Sequence, residues 1–502
     1  MLVRVLAVAA FFLVVFPAAA EPVSTGALRR HIDVLASDAF EGREPGTEGE
    51  QKAIAYIAGQ MRSFGLEPGG PGNSWYQPLE VAVRRPGEQS SVWQTRGGRR
   101  ERIELGRDEI ILLGRSARET LTRAPVIFAG HGAVIPDRGI DQLAGADLKG
   151  AVVLILYDEP GTPGFPGYPE RVQAVAAAGA AAVIGIIGPE LPWPVVLRTY
   201  ESGSKRLSID SPPPLAGAIS QAAAETLLRS AGTDLAALLA APGPSFAPVP
   251  LKLRASLEVA TAIETIRSSN VIGRIRGSGG GGESLLYLAH WDHLGQCEPE
   301  AKDRICNGAV DNASGIAALI EAAGRLAAGE KPKRDILILA TTAEESGLLG
   351  AETFARNPPV PRQSIVAGIN VDTLAVAPAG TPVAVIGGNP QMDLVIGRVA
   401  LGLGRKLDAD READIMATRQ DGHALSSHGI PTFMAVSNAS DMSLLRQFLS
   451  SAYHRPADEP DAAIEYGGAV EDTNLLVALA RAFADPAQYA PPARQAAVRK
   501  QP

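Results

Sequence analysis

In the second half of this 502-residue chain, histidines and carboxylates recur at spacings that suit metal ligation. His290-Trp291-Asp292-His293 follows one apolar run, and Asp311-Asn312 stands at the start of a helical pattern. Glu344-Glu345 follows a second apolar run, Asp372 a third, and His454 lies in a Tyr-His-Arg-Pro turn. One acidic residue at a strand end is usually a helix cap or a solvated loop. Delivered together, these residues make a ligand set of two histidines and three carboxylates, with two acidic residues spare. Imidazole and carboxylate without thiolate suit zinc in a hydrolytic site, with manganese or cobalt as substitutes. Five ligands exceed what one tetrahedral catalytic zinc can use while keeping a water. They suit two ions about 3.5–4 Å apart that share one carboxylate and a bridging water.

The elements that must position these residues are legible from about residue 262. Ser284–Ala289, Asp335–Ala340 and Ile365–Val371 read as strands, with helices over Ile316–Leu326 and near Leu348–Ala355. Such alternation predicts an α/β fold with a helix-flanked, mostly parallel sheet, whose ligands gather at the carboxyl ends of the strands. Gly277–Gly282 reads as a flexible hairpin connection; it lacks the Lys-Ser/Thr and helix of a phosphate loop. Two helical patterns come first, at Leu28, Ile32, Leu35 and at Ala53 to Phe64, the second behind a capping box at Thr47 and Glu50. Between about 107 and 255, short Val/Ile/Leu runs alternate with Gly/Pro-rich turns, which predicts a compact β-rich unit with a few helices.

The composition, 46% hydrophobic and 20% charged, is that of a globular protein. A net charge of −8 with no long basic run excludes nucleic acid as a main partner. Two cysteines exclude a disulfide-stapled scaffold and a Cys-rich zinc module. Arg4, the apolar run Val5 to Phe16 and Ala18-Ala19-Ala20 read as a signal peptide over 1–20, so a periplasmic or secreted location is expected. Nothing reaches transmembrane length and no stable membrane anchor is expected. In that compartment Cys297 and Cys306 either form a disulfide across the loop before Asp311 or remain free thiols. Ala487–Pro502 reads as a loose tail.

The stretches Ala289–Gly295 (A-H-W-D-H-L-G), Gly308–Gly315 (G-A-V-D-N-A-S-G), Ala343–Gly350 (A-E-E-S-G-L-L-G), Asn370–Asp372 and Tyr453–Asp458 (Y-H-R-P-A-D) resemble the M28 co-catalytic zinc aminopeptidases. The likeness is to the subgroup with an inserted protease-associated (PA) domain, and the opening segment Leu35–Thr47 fits it too. Phe128–Gly132, Asp147–Val153 and Gly179–Ile184 resemble a PA domain. The resemblance implies a three-layer sheet of the zinc exopeptidase type. Its expected parts are peptidase segments 21–106 and 256–486 around a PA-like insert at 107–255, which would act as a lid. It implies two zinc ions per chain, peptide substrates and removal of the amino-terminal residue. By the same resemblance Asp311 bridges the ions, His290 and Asp372 complete one site, and Glu345 and His454 the other. Glu344 is then the general base, and Asp292 holds the other N–H of His290. His293 is expected to make a structural hydrogen bond.

Two departures stand out. Family members carry Ser-Asp-His before a Gly-Ile-Pro turn, whereas here Gln420-Asp421-Gly422-His423 precedes Gly429. That leaves Asp421 and His423 as cleft-lining candidates, with His423 either replacing the family histidine or only lining the cleft. No tyrosine lies between Asp408 and Gln420 to serve as oxyanion donor. The alternatives are a glutamate-carboxypeptidase-like enzyme, for which Arg419 could grip a carboxylate, a glutaminyl-cyclase-like acyltransferase, and a non-catalytic binding protein. Retention of the full ligand set disfavours the last two. The sequence does not indicate the oligomeric state.

Overall fold

The computed structural model describes residues 21–96, 101–161, 164–239, 246–280, 282–298, 301–410, 412–461 and 464–491. The expected signal peptide at 1–20 and the tail beyond 491 lie outside them. The chain forms two compact units, one made of 1–79 and 267–502, the other of 80–266. The inserted unit is thus longer at both ends than the expected 107–255. Strands Tyr76–Thr95 and Val249–Ile275 run through both boundaries, so no turn signal marks them.

In the first unit, α1 (Thr25–Leu35) and α2 (Glu48–Ser63) precede β1 (Val249–Ile275), whose residues from 267 belong here. Then come β2 (Ser284–His290), α3 (Ser314–Ala328), β3 (Asp335–Thr341), α4 (Leu349–Arg356) and β4 (Ile365–Asn370). The unit closes with β5 (Ala384–Gly387), α5 (Pro390–Gly402), α6 (Asp421–Ser427), β6 (Thr432–Val436), α7 (Met442–Ser451) and α8 (Tyr466–Phe483). The strand order is β5-β6-β4-β2-β3-β1. The strands β6, β4, β2 and β3 are parallel, β5 joins antiparallel at the edge beside β6, and β1 joins antiparallel beside β3.

Every residue of β2, β3 and β4 is buried, as unbroken apolar runs in a doubly covered parallel sheet require. Alternate residues serve opposite layers. Leu285, Tyr287 and Ala289 join the core under α1, α2, α3 and α8, while Leu286 and Leu288 join a second core with Phe354 of α4 and Leu425 of α6. The chain leaves β2 toward β3 but leaves β4 toward the other side of the sheet. The crevice between the carboxyl ends of β2 and β4 is therefore a topological switch point, where open α/β sheets bind ligands.

Three local expectations differ. The 277–282 connection is not a hairpin, because β3 lies between β1 and β2. Its glycines let the backbone pass over the start of β3: a Cβ on Gly277 would meet Lys333 O at 2.6 Å, and its N–H donates to Asp335 at 2.7 Å. Only half of the capping box forms at α2. Thr47 accepts from the Glu50 N–H, but the Glu50 carboxylate takes the N–H groups of Gly46 and Ser269 and the Ser268 hydroxyl. Nor is the chain loose at 487: Tyr489 is buried against Phe483, and its carbonyl accepts from Arg334.

In the second unit, strands Arg118–Phe128, Val152–Leu156, Ala182–Ile187 and Leu215–Ser220 run parallel, with Ile110–Leu113 antiparallel at the edge. Arg171 is fully buried there and donates to the carbonyls of Pro166, His131, Leu156 and Tyr157.

Candidate metal centre

His290 ends β2, and its Nδ1 lies 3.1 Å from the carbonyl oxygen of Asp292. A carbonyl can only accept, so Nδ1 donates there and Nε2 is the ring nitrogen turned toward the carboxylates. That Nε2 is 3.4 Å from Asp311 Oδ1 and 3.3 Å from Asp372 Oδ1. His454 Nε2 is 3.3 Å from the other Asp311 oxygen, Oδ2, and 2.9 Å from Glu345 Oε2. Donors on a tetrahedral ion with bonds of about 2.0 Å stand about 3.3 Å apart. His454 Nε2 is buried yet makes no hydrogen bond despite these short approaches, so the atoms converge without satisfying one another. The arrangement fits two ions, with Asp311 offering one oxygen to each centre.

His293 stands beside the second group, its Nδ1 2.7 Å from Glu345 Oε1 and 3.9 Å from Asp311 Oδ2. It forms one close cluster with Asp311 and Glu345, as His290 does with Glu344 and Asp372. The 2.7 Å contact is a hydrogen bond that orients Glu345, whose other oxygen faces His454. Gly308 makes room for this ring: at φ +57°, a Cβ there would meet it at 2.6 Å.

Asp292 does not act as expected. Its carboxylate is 3.9 Å from His290 Nδ1 and instead accepts the N–H groups of Glu344 at 3.1 Å and Glu345 at 3.4 Å. The two-residue spacing places its backbone carbonyl, not its side chain, against the imidazole. Asn312, joined to Asp311 by a cis peptide bond, ties this loop to the next strand end. It donates to Val371 O and accepts from the N–H groups of Gly315 and Thr373.

Electrostatics follow from packing acids and imidazoles out of water. Burial opposes protonation of His290, but Glu344 and Asp372 outweigh it and push its pKa well up. Burial likewise opposes His454, which Asp311 and Glu345 raise to about 9. Burial would raise Asp311, yet the neighbouring imidazoles of His290, His454 and His293 hold it far below the usual range. Burial dominates Asp292, lifted to about 7, and Glu344, pushed well above a normal carboxyl with help from Asp372, Asp421 and Glu345.

A cavity of about 50 Å³ opens on His290, Asp311, Glu344 and Asp372. Ile386, Met416, Met434, Leu445 and Leu449 form its apolar wall, and Arg419, Gln420, Asn438 and Tyr453 its polar rim. Neither cleft-lining candidate is among the lining residues. Asp421 is buried, accepts from Thr341 at the end of β3, and is raised to about 6 by burial. His423 is exposed on α6. At Gly422, where the family histidine would stand, a Cβ would meet Gln420 at 2.6 Å and Thr432 at 3.1 Å. A larger cavity of about 280 Å³, lined by Phe64, Arg274, Arg276 and Lys331 among others, gathers no ligand cluster.

Sequence reasoning missed Arg43 and Asp458. Arg43 is 1% exposed and donates to Leu35 O, Trp291 O, Asn307 O and Gly308 O at 2.6–3.0 Å. Burial lowers its pKa only to about 10, so it stays charged. Cys297 and Cys306 form a disulfide in the hairpin just before this loop.

Residues 270–480 match the family model for peptidase family M28. That stretch is similar to an M28 peptidase domain. Among solved structures, an aminopeptidase from Aneurinibacillus sp. strain AM-1 is 19% identical, covers 93% of this chain and 95% of its own, and superposes with a TM-score of 0.58. A zinc aminopeptidase from Bacillus subtilis is 19% identical over 91% of this chain and 95% of its own, with a TM-score of 0.50. These likenesses show the fold alone, a helix-flanked, mostly parallel sheet. A probable zinc metalloprotease from Pyrenophora teres f. teres is 34% identical over 107 residues, 21% of this chain. The matched stretch spans about a quarter of that curated relative, 23% of its length. No described helix is long and apolar enough to cross a membrane.

Proposed function

We propose that this chain is an exported dizinc aminopeptidase. The carrying observation is the split of Asp311, with Oδ1 facing His290 and Asp372 and Oδ2 facing His454 and Glu345. On this reading Asp311 would be shared by the two ions, with His290 and Asp372 holding one and Glu345 and His454 the other. Zinc held there would polarise the scissile carbonyl and bring the pKa of a water to about 7. Glu344 borders the cavity, and burial raises its carboxyl well above the ordinary range, which suits a group that takes a proton and returns it to the departing amine. Asp292 fixes the backbone of both glutamates. Tyr453 lines the cavity with its ring stacked on His454 at 3.7 Å, and burial keeps its hydroxyl protonated, so it is available as oxyanion donor.

Export is supported by the disulfide, a bond of oxidising compartments. The second unit is read as a PA-like domain on its sequence stretches. One observation favours the carboxypeptidase reading: Arg419 lines the cavity and could hold a substrate carboxylate. Hydrolysis of aminoacyl p-nitroanilides against amino-terminally blocked peptides, with and without chelator, separates the two. Chelator-sensitive cleavage of free-amine substrates alone is expected. Cleavage of blocked peptides, or activity that survives chelation, would overturn the proposal.

A further inference from the structure

The segment Asn307–Asp311 carries the residue shared by both centres, and its backbone groups are held from outside it one by one. Arg43 takes the carbonyls of Asn307 and Gly308. Asp458 takes the N–H groups: its carbonyl oxygen accepts from Ala309 at 3.1 Å, and its two carboxylate oxygens accept from Val310 at 2.9 Å and Asp311 at 3.0 Å. Asp458 is 2% exposed, and with both oxygens engaged it is not competing as a ligand. It also lies four residues after His454, in the turn closed by its own N–H to Arg455 O at 3.1 Å. His454 sits at φ +59°, a left-handed conformation that a non-glycine residue keeps when its surroundings hold it. One buried carboxylate therefore joins the backbone of one second-centre ligand, Asp311, to the turn that presents another, His454.

We infer that Asp458 is a positioning residue for the second metal centre, setting Asp311 against His454 before any ion arrives. The inference rests on the two-centre reading of the site. Its weight falls on the second centre, which takes both Asp311 and His454 from this junction, whereas the first shares only Asp311 and draws His290 and Asp372 from the ends of β2 and β4. Loss of an outer partner of this kind typically weakens metal binding 10- to 100-fold.

The test is stepwise titration of the metal-free full chain with Zn²⁺, repeated with Co²⁺ so that each centre gives its own visible absorption. Asp458→Asn should bind the ion at the His454 centre about 10- to 100-fold more weakly and the ion at the His290 centre nearly as the parent does, with the spectrum of the former altered. Glu459→Gln removes a neighbouring carboxylate that accepts from the Asn307 side chain, and should bind both ions normally. Normal first-site binding also reports that Asp458→Asn is folded. If that variant does not fold, hydrogen exchange on the metal-free parent decides: the amides of Ala309, Val310 and Asp311 should be strongly protected. Asp458→Asn binding both ions normally, both sites weakened equally in a folded variant, or fast exchange at these amides overturns the inference. A parent that takes up only one ion refutes the two-centre reading instead.

Discussion

Replacing Asp292 by asparagine distinguishes two ways in which this carboxylate could serve the site. If it held the His290 imidazole, the variant would disturb the first centre. Its observed bonds run to the backbone N–H groups of Glu344 and Glu345, while His290 Nδ1 is 3.9 Å away. Asparagine keeps one acceptor and turns its amide N–H₂ toward a backbone N–H, so one of the two bonds is lost. A hydrogen bond to a charged acceptor contributes about 1.5–3 kcal/mol. At about 1.4 kcal/mol per tenfold, kcat/KM should fall roughly 10- to 150-fold. Folding should lose no more than that one bond, because asparagine keeps the shape of the side chain and its other hydrogen bond. Steady-state kinetics and zinc titration together check this. The expected pattern is weaker binding at the Glu345 centre, unchanged binding at the His290 centre, and a melting temperature within a few degrees of the parent. Loss of the His290-centre ion with the Glu345 centre intact would refute the reasoning.

Three further outcomes are expected. Tyr453→Phe should lower kcat about 100-fold with KM nearly unchanged; full activity would remove Tyr453 as the oxyanion donor. In the metal-free chain His454 is raised to about 9 from an unperturbed value of about 6.5. The stability from that shift is complete below about pH 6.5 and lost as pH rises through about 9. Melts of chelated protein should fall over that window while zinc affinity rises with proton release; flat profiles would contradict the charge reading. Cys297→Ser with Cys306→Ser opens a loop of nine-residue separation and should cost about 2–3 kcal/mol of stability by denaturant titration. An unchanged midpoint would deny the bond a stabilising part.

Much of the fold was legible because it is written locally. The unbroken apolar runs of β2, β3 and β4 announce doubly buried parallel strands, and each delivers its polar residues immediately after its end. What stayed hidden depends on contacts between distant residues. Arg43 reaches carbonyls 248 and 265 positions away, and no periodicity encodes an arginine paired with backbone. Asp458 stood inside a quoted motif, but its partners lie 147 and 148 residues earlier. The connection at 277–282 was misread because local composition cannot show that β3, later in the chain, inserts between its neighbours. Asp292 was assigned to the right neighbourhood and the wrong bond, since spacing alone cannot say whether a side chain or its own carbonyl meets the imidazole.

Glu344→Gln tests the central claim most directly. The substitution keeps the shape of a side chain that borders the cavity and removes only its capacity to carry the proton. The account predicts a folded variant that binds two zinc ions per chain with parental affinity and turns over aminoacyl p-nitroanilides at least 1,000-fold more slowly, an order of magnitude drawn from general-base contributions of about 10²–10⁴. A fully loaded variant that remains active would contradict it.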